Sequence, residues 1–142
     1  MQRVGKFLAL HPADRRLLAN AALAVSAARI RLAVMPFRAG KGYSCSRHRS
    51  STLTSSPDRI AWAVNVVSRY LGNVTCLARA LAAHGMLARR GYSSCVSIGV
   101  ASNQEGGREL GLIAHAWLEF GGRILLGGPD ITGYTLLLKW GN

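Results

Sequence analysis

Apolar positions fall in two textures along the chain. From Arg15 to Val34 they are dense, mostly Ala, Leu and Val, and the run stops before Pro36. His11-Pro12-Ala13-Asp14 supplies a helix start, with Pro in the first turn and an acid at the positive end. One long helix is predicted there. Phe37 to Ser56 has no period and is rich in Arg, Lys, Gly and Ser, which predicts a basic loop or linker. Ser56-Pro57-Asp58 opens a second helix, with Ile60, Val64, Val67 and Leu71 at helical spacing and Gly72-Asn73 at its close. Thr75 is an N-cap for a third helix, which runs from Cys76 to about Arg90, and Gly91 is its stop.

Beyond Gly91 the period changes. Ser94 to Val100 alternates and is β-prone, and Ser102 to Gly107 is predicted as a polar loop. Leu112 to Phe120 reads as a strand, Gly121-Gly122 as a two-residue turn, and Arg123 to Leu126 as the returning strand. Tyr134 to Trp140 reads as a last strand. Helices first and an antiparallel sheet afterwards make an α+β fold. Pairing Phe120 with Arg123 and continuing outward places Gly128 opposite His115.

Length and charge narrow the picture. The 142 residues suffice for one domain with a core. Residues 1–56 are expected to belong to the same globular unit or to dock a partner, and residues 57–142 to form the core that carries the chemistry. The net charge of +12 predicts acidic partners: nucleic acid, an anionic membrane surface, or an acidic peptide or protein. The basic residues are scattered and no nucleic-acid motif accompanies them, so no specific nucleic-acid role is expected. Arg29 and Arg31 lie inside the apolar N-terminal run and argue against a membrane span, which leaves contact with a partner or a membrane surface. Three cysteines without a C-x-x-C predict neither a disulfide framework nor a zinc site. No signal peptide is visible, so a cytoplasmic setting that keeps thiols reduced is expected.

Cys76 is placed at a first helical turn, where unpaired backbone N–H groups and the helix dipole favour a thiolate and can receive an oxyanion. His115 lies in Ala114-His115-Ala116-Trp117-Leu118-Glu119, and alternation puts His115, Trp117 and Glu119 on one face. Together they suggest nucleophilic catalysis, with the imidazole taking the thiol proton. A third group should hold the imidazole. Glu119 is about 13 Å along the strand from His115, at about 3.3 Å per residue, and is too far. Asp130 is the acid that fits best, carried back by a bend at Gly127-Gly128-Pro129. Cys45 lies in the basic loop with no rigid element to aim it, and Cys95 reads as a packed strand residue. His84, eight residues from Cys76 on the same helix, is out of its reach at about 12 Å.

The Cys76-Leu77-Ala78-Arg79-Ala80-Leu81 block, then Leu87-Ala88-Arg89-Arg90-Gly91-Tyr92, then Ser97-Ile98-Gly99-Val100, then Ala114-His115-Ala116-Trp117-Leu118-Glu119 with Gly122-Arg123, form an ordered series. It resembles the transglutaminase-like domain of lasso-peptide biosynthesis B proteins, over roughly residues 57 to 140. The resemblance implies a papain/transglutaminase-like cysteine protease core that removes the leader from a ribosomally made precursor without metal or organic cofactor. It further implies a separate ATP-dependent lasso cyclase and, in split systems, a small leader-binding partner that delivers the precursor peptide. One departure stands out: relatives often carry the third catalytic acid near the position of Gly127, whereas the nearest acid here is Asp130. The same Cys-His machinery also serves a transglutaminase-like acyltransferase, and the charge alone would suit a non-catalytic basic binding module.

Overall fold

The computed structural model describes residues 10–35, 56–105, 108–128 and 131–141. Three helices come first: α1 (Pro12–Val34), α2 (Pro57–Leu71) and α3 (Cys76–Ala88). Four strands follow: β1 (Cys95–Glu105), β2 (Arg108–Phe120), β3 (Arg123–Leu126) and β4 (Thr135–Gly141). They form one antiparallel sheet in the order β3-β2-β1-β4. The α+β architecture read from the sequence is the architecture observed.

Local chemistry sets the helix ends. His11 accepts the Ala13 N–H through Nδ1 at the start of α1, and the Ser56 hydroxyl accepts the Arg59 N–H at the start of α2. Both helices begin with a proline whose missing N–H costs nothing there. After α3 the chain turns at Gly91, whose φ of +74° suits glycine, and the Tyr92 N–H returns to the Leu87 carbonyl.

The core lies between the helices and one face of the sheet. Leu17, Leu18, Ala21 and Val25 of α1, Ile60, Val64 and Val67 of α2, and Ala80, Ala83 and Leu87 of α3 meet Val96, Leu118 and Leu126 of the sheet. Each fully buried Leu, Ile or Val side chain contributes about 1.5–3 kcal/mol. α1 packs on both α2 and α3, and an Asp14–Arg59 ion pair joins α1 to α2. α1 is long and apolar enough, by length and composition, to cross a membrane. Its inner face nonetheless belongs to this core, while Leu23, Ile30 and Val34 stand exposed on its outer side.

Two expectations about the sheet are corrected. Ser102 to Glu105 is not loop: β1 runs to Glu105 and β2 begins at Arg108, so Glu105 pairs with Arg108 and the hairpin is longer than its apolar part. Backbone pairing does not need apolar side chains once a two-residue connection has set the register. The register of β3 also differs. Phe120 pairs with Arg123 as expected, but a bulge makes Leu118 pair with Leu126, and β3 ends there. The ladder therefore never reaches His115, and Gly128 is not its cross-strand partner.

Candidate active site

Cys76 is the first residue of α3. The Thr75 side chain accepts the Ala78 N–H at 3.2 Å, and the Thr75 carbonyl takes the Arg79 N–H at 3.1 Å. Among the described residues nothing receives the Cys76 or Leu77 N–H, so two backbone donors remain beside the half-buried thiol. Gly72 and Asn73, both at positive φ, turn the chain sharply between α2 and this start.

Parity splits the residues of β2. Ala116 and Leu118 face the helices, while His115 and Trp117 belong to the other face. His115 thus lies across the sheet from the helix that carries Cys76, and the end of the short β3 is near both. Because β3 stops at Leu126, the edge of β2 beside Ala116 is open. A cleft too tight to admit a water molecule lies there, lined by Cys76, Arg79 and Ala80 from α3, Ala116 from β2, and Leu126 and Gly127 from the end of β3. Gly127 also turns its carbonyl to His115, whose Nε2 lies 2.6 Å from the oxygen. One residue thus borders the thiol's cleft and holds the imidazole.

That contact sets the tautomer. A carbonyl only accepts, so Nε2 carries the proton and donates, which leaves Nδ1 of the neutral ring as the free acceptor. The ring is half-buried, with Trp117 stacked at 6.3 Å between centroids and Tyr134 at 5.3 Å. Gly127 is required for this arrangement. Its φ is +112°, and a Cβ built there would lie 2.5 Å from the Trp117 Cβ and 2.8 Å from its Cα. No side chain fits, and an acid at 127 is sterically excluded.

Asp130, the acid expected from the sequence as third member, lies outside the described residues. The group that contacts His115 is a backbone carbonyl, which no residue-type search can find. A glycine next to a strand end was its only trace. Tyr134, read as the first residue of the last strand, instead ends the turn before β4, and nothing in the sequence marked its ring as a neighbour of His115.

Glu119 has a different task. It accepts from the Ser97 hydroxyl at 2.9 Å, from Trp117 Nε1 at 2.9 Å and from Lys139 Nζ at 2.6 Å. Burial pushes its carboxyl up, but the hydrogen bonds from Lys139, Trp117 and Ser97 and the Lys139 charge outweigh it and hold the group below the usual carboxylate range. Glu119 pins the Trp117 indole, and Gly99 opposite His115 makes room for that ring: a Cβ there would lie 2.9 Å from its edge. His84 is accounted for by structure, with Nδ1 2.8 Å from the Ser94 hydroxyl and the ring 4.6 Å from that of Trp140.

Among the described residues Cys76 is the free thiol. Cys95, fully buried at the start of β1, is disulfide-bonded. This corrects the expectation of a chain without disulfides: an odd cysteine count forbids full pairing but leaves room for one bond and one free thiol. It also removes Cys95 as a rival nucleophile.

The family model of the transglutaminase-like superfamily matches residues 17–139, and the chain belongs to that superfamily. The superfamily includes cysteine peptidases and acyltransferases, and the match takes in most of α1. Neither the curated proteins nor the solved structures compared with the chain give a match.

Proposed function

We propose that this chain is the leader peptidase of a lasso-peptide pathway, working through a Cys76–His115 dyad. The observation that carries the dyad is the 2.6 Å contact of His115 Nε2 with the Gly127 carbonyl, made beside the cleft that Cys76 lines. The ordered sequence blocks around Cys76, Arg89-Arg90-Gly91 and His115 support the substrate class.

His115 Nδ1 takes the thiol proton, and the Cys76 sulfur attacks the carbonyl at the leader–core junction. The Cys76 and Leu77 amides receive the oxyanion. The imidazolium returns its proton to the leaving core amine, and water then hydrolyses the leader thioester, releasing the leader acid and the thiol. The exposed stripe of Leu23, Ile30 and Val34 on α1 is offered to the leader-binding partner, with the lasso cyclase acting on the freed core.

The test is incubation of a candidate precursor with the chain, with and without the leader-binding partner, read by mass. Cleavage between leader and core that vanishes in Cys76→Ala is the expected result. Undiminished cleavage by Cys76→Ala would end the proposal, and a crosslinked or amine-modified precursor would assign acyl transfer instead.

A further inference from the structure

Arg79 is the one cationic side chain lining the cleft of Cys76 among the described residues. It sits three residues further along α3, about 4.5 Å along the axis at 1.5 Å per residue, so both side chains share one face. Its Nε is fully buried without a hydrogen-bond partner. None of the ion pairs among the described residues involves it: those join Arg59 to Asp14, Arg123 to Asp58 and Lys139 to Glu119. Arg79 as a whole is only partly buried, but an N–H withdrawn from water without a partner is costly. The arrangement makes sense if the partner arrives with the substrate. The planar fork suits a carboxylate, which it can hold by two parallel charge-assisted bonds.

We propose that Arg79 forms a carboxylate subsite beside Cys76, which takes an acidic side chain of the substrate on a residue flanking the reacting carbonyl. The inference rests on the peptidase reading for the identity of the substrate, but not for the existence of the subsite. Along α3 the two positions are about 4.5 Å apart, little more than one residue of an extended peptide, which advances about 3.3 Å per residue. The high positive charge of the chain as a whole gives general attraction for anions. Arg79 adds a fixed position to it.

Two small reagents test the subsite without any knowledge of the precursor. Iodoacetate and iodoacetamide both alkylate a thiolate: the carbon–sulfur bond forms as the carbon–iodine bond breaks and iodide leaves. They differ in that one carries a carboxylate. The ratio of their rates at Cys76, followed by mass, should favour iodoacetate in the wild type. It should fall about tenfold or more in Arg79→Met, the size expected for losing a hydrogen bond to a charged group, and less in Arg79→Lys. Arg69→Gln, an exposed charge on α2, should leave it unchanged. An equal ratio in wild type and Arg79→Met, or an equal fall in Arg69→Gln, would overturn the subsite while leaving the peptidase reading intact. Arg79→Met should melt no lower than wild type, because it keeps the apolar stem and removes a buried N–H that has no partner. A clear loss of stability marks Arg79 as structural and also overturns the proposal. With a cleaved precursor in hand, Glu→Gln or Asp→Asn changes flanking the cut should slow the wild type about tenfold or more and leave Arg79→Met unaffected.

Discussion

Gly127 carries two constraints at once, a left-handed backbone and contact with Trp117. A Gly127→Asp variant, which places an acid beside His115, should therefore not gain activity. The strained conformation alone costs about 1–3 kcal/mol, and the overlap with Trp117 adds to it. A lower melting temperature with no faster cleavage is the expected pair of results. The placement of Cys76 at a helix start and of His115 in a strand was legible, because an N-capping Thr and an alternating strand each leave a pattern. The support of His115 was not. A carbonyl belongs to every residue, and its direction depends on the bulge that ends β3, which follows from packing against Leu118 and Trp117 and not from the type of residue at 127.

The helices were readable almost to the residue, since Pro12, Ser56, Pro57, Thr75 and Gly91 punctuate them chemically. The start of α3 matters most, because it positions both the thiol and the free amides. Thr75→Ala should cost about 1 kcal/mol in urea unfolding and slow alkylation of Cys76, while Thr75→Ser should retain both. The sheet was less legible. Its polar hairpin extension carries no alternation, and the strand order puts β4 beside β1, a long-range choice that local pattern cannot encode. Gly99 shows how the elements interlock: Gly99→Ala drives a methyl against the edge of the Trp117 ring and the Thr135 carbonyl. Overpacking of this kind typically costs about 1–3 kcal/mol, readable as a lower melting temperature.

At the scale of the molecule, α1 is inseparable from the core. Deleting residues 1–36 removes Leu17, Leu18, Ala21 and Val25. Truncating one buried Leu to Ala already costs about 2–5 kcal/mol, against a total stability of about 5–15 kcal/mol for a typical domain. The truncated chain should melt without a cooperative transition, so docking through α1 is better probed by Leu23→Ser and Ile30→Ser on its exposed side. The whole fold also answers to pH through His84. Burial lowers its ionisation below the ordinary 6.5, so the unfolded chain binds the proton more readily. Its contribution is complete above 6.5 and is lost as pH falls below that value toward the folded one. Melting temperature should decline from pH 7 to pH 5, and less steeply in His84→Asn.

The support of His115 behaves differently under the same acidification. A carboxylate in that place would lose its charge, and with it much of its hold on the ring, once protons accumulate far enough. The Gly127 carbonyl has no proton to gain in this range. It therefore orients the ring equally well in acid and at neutrality, at the expense of giving the imidazolium a dipole in place of a full counter-charge.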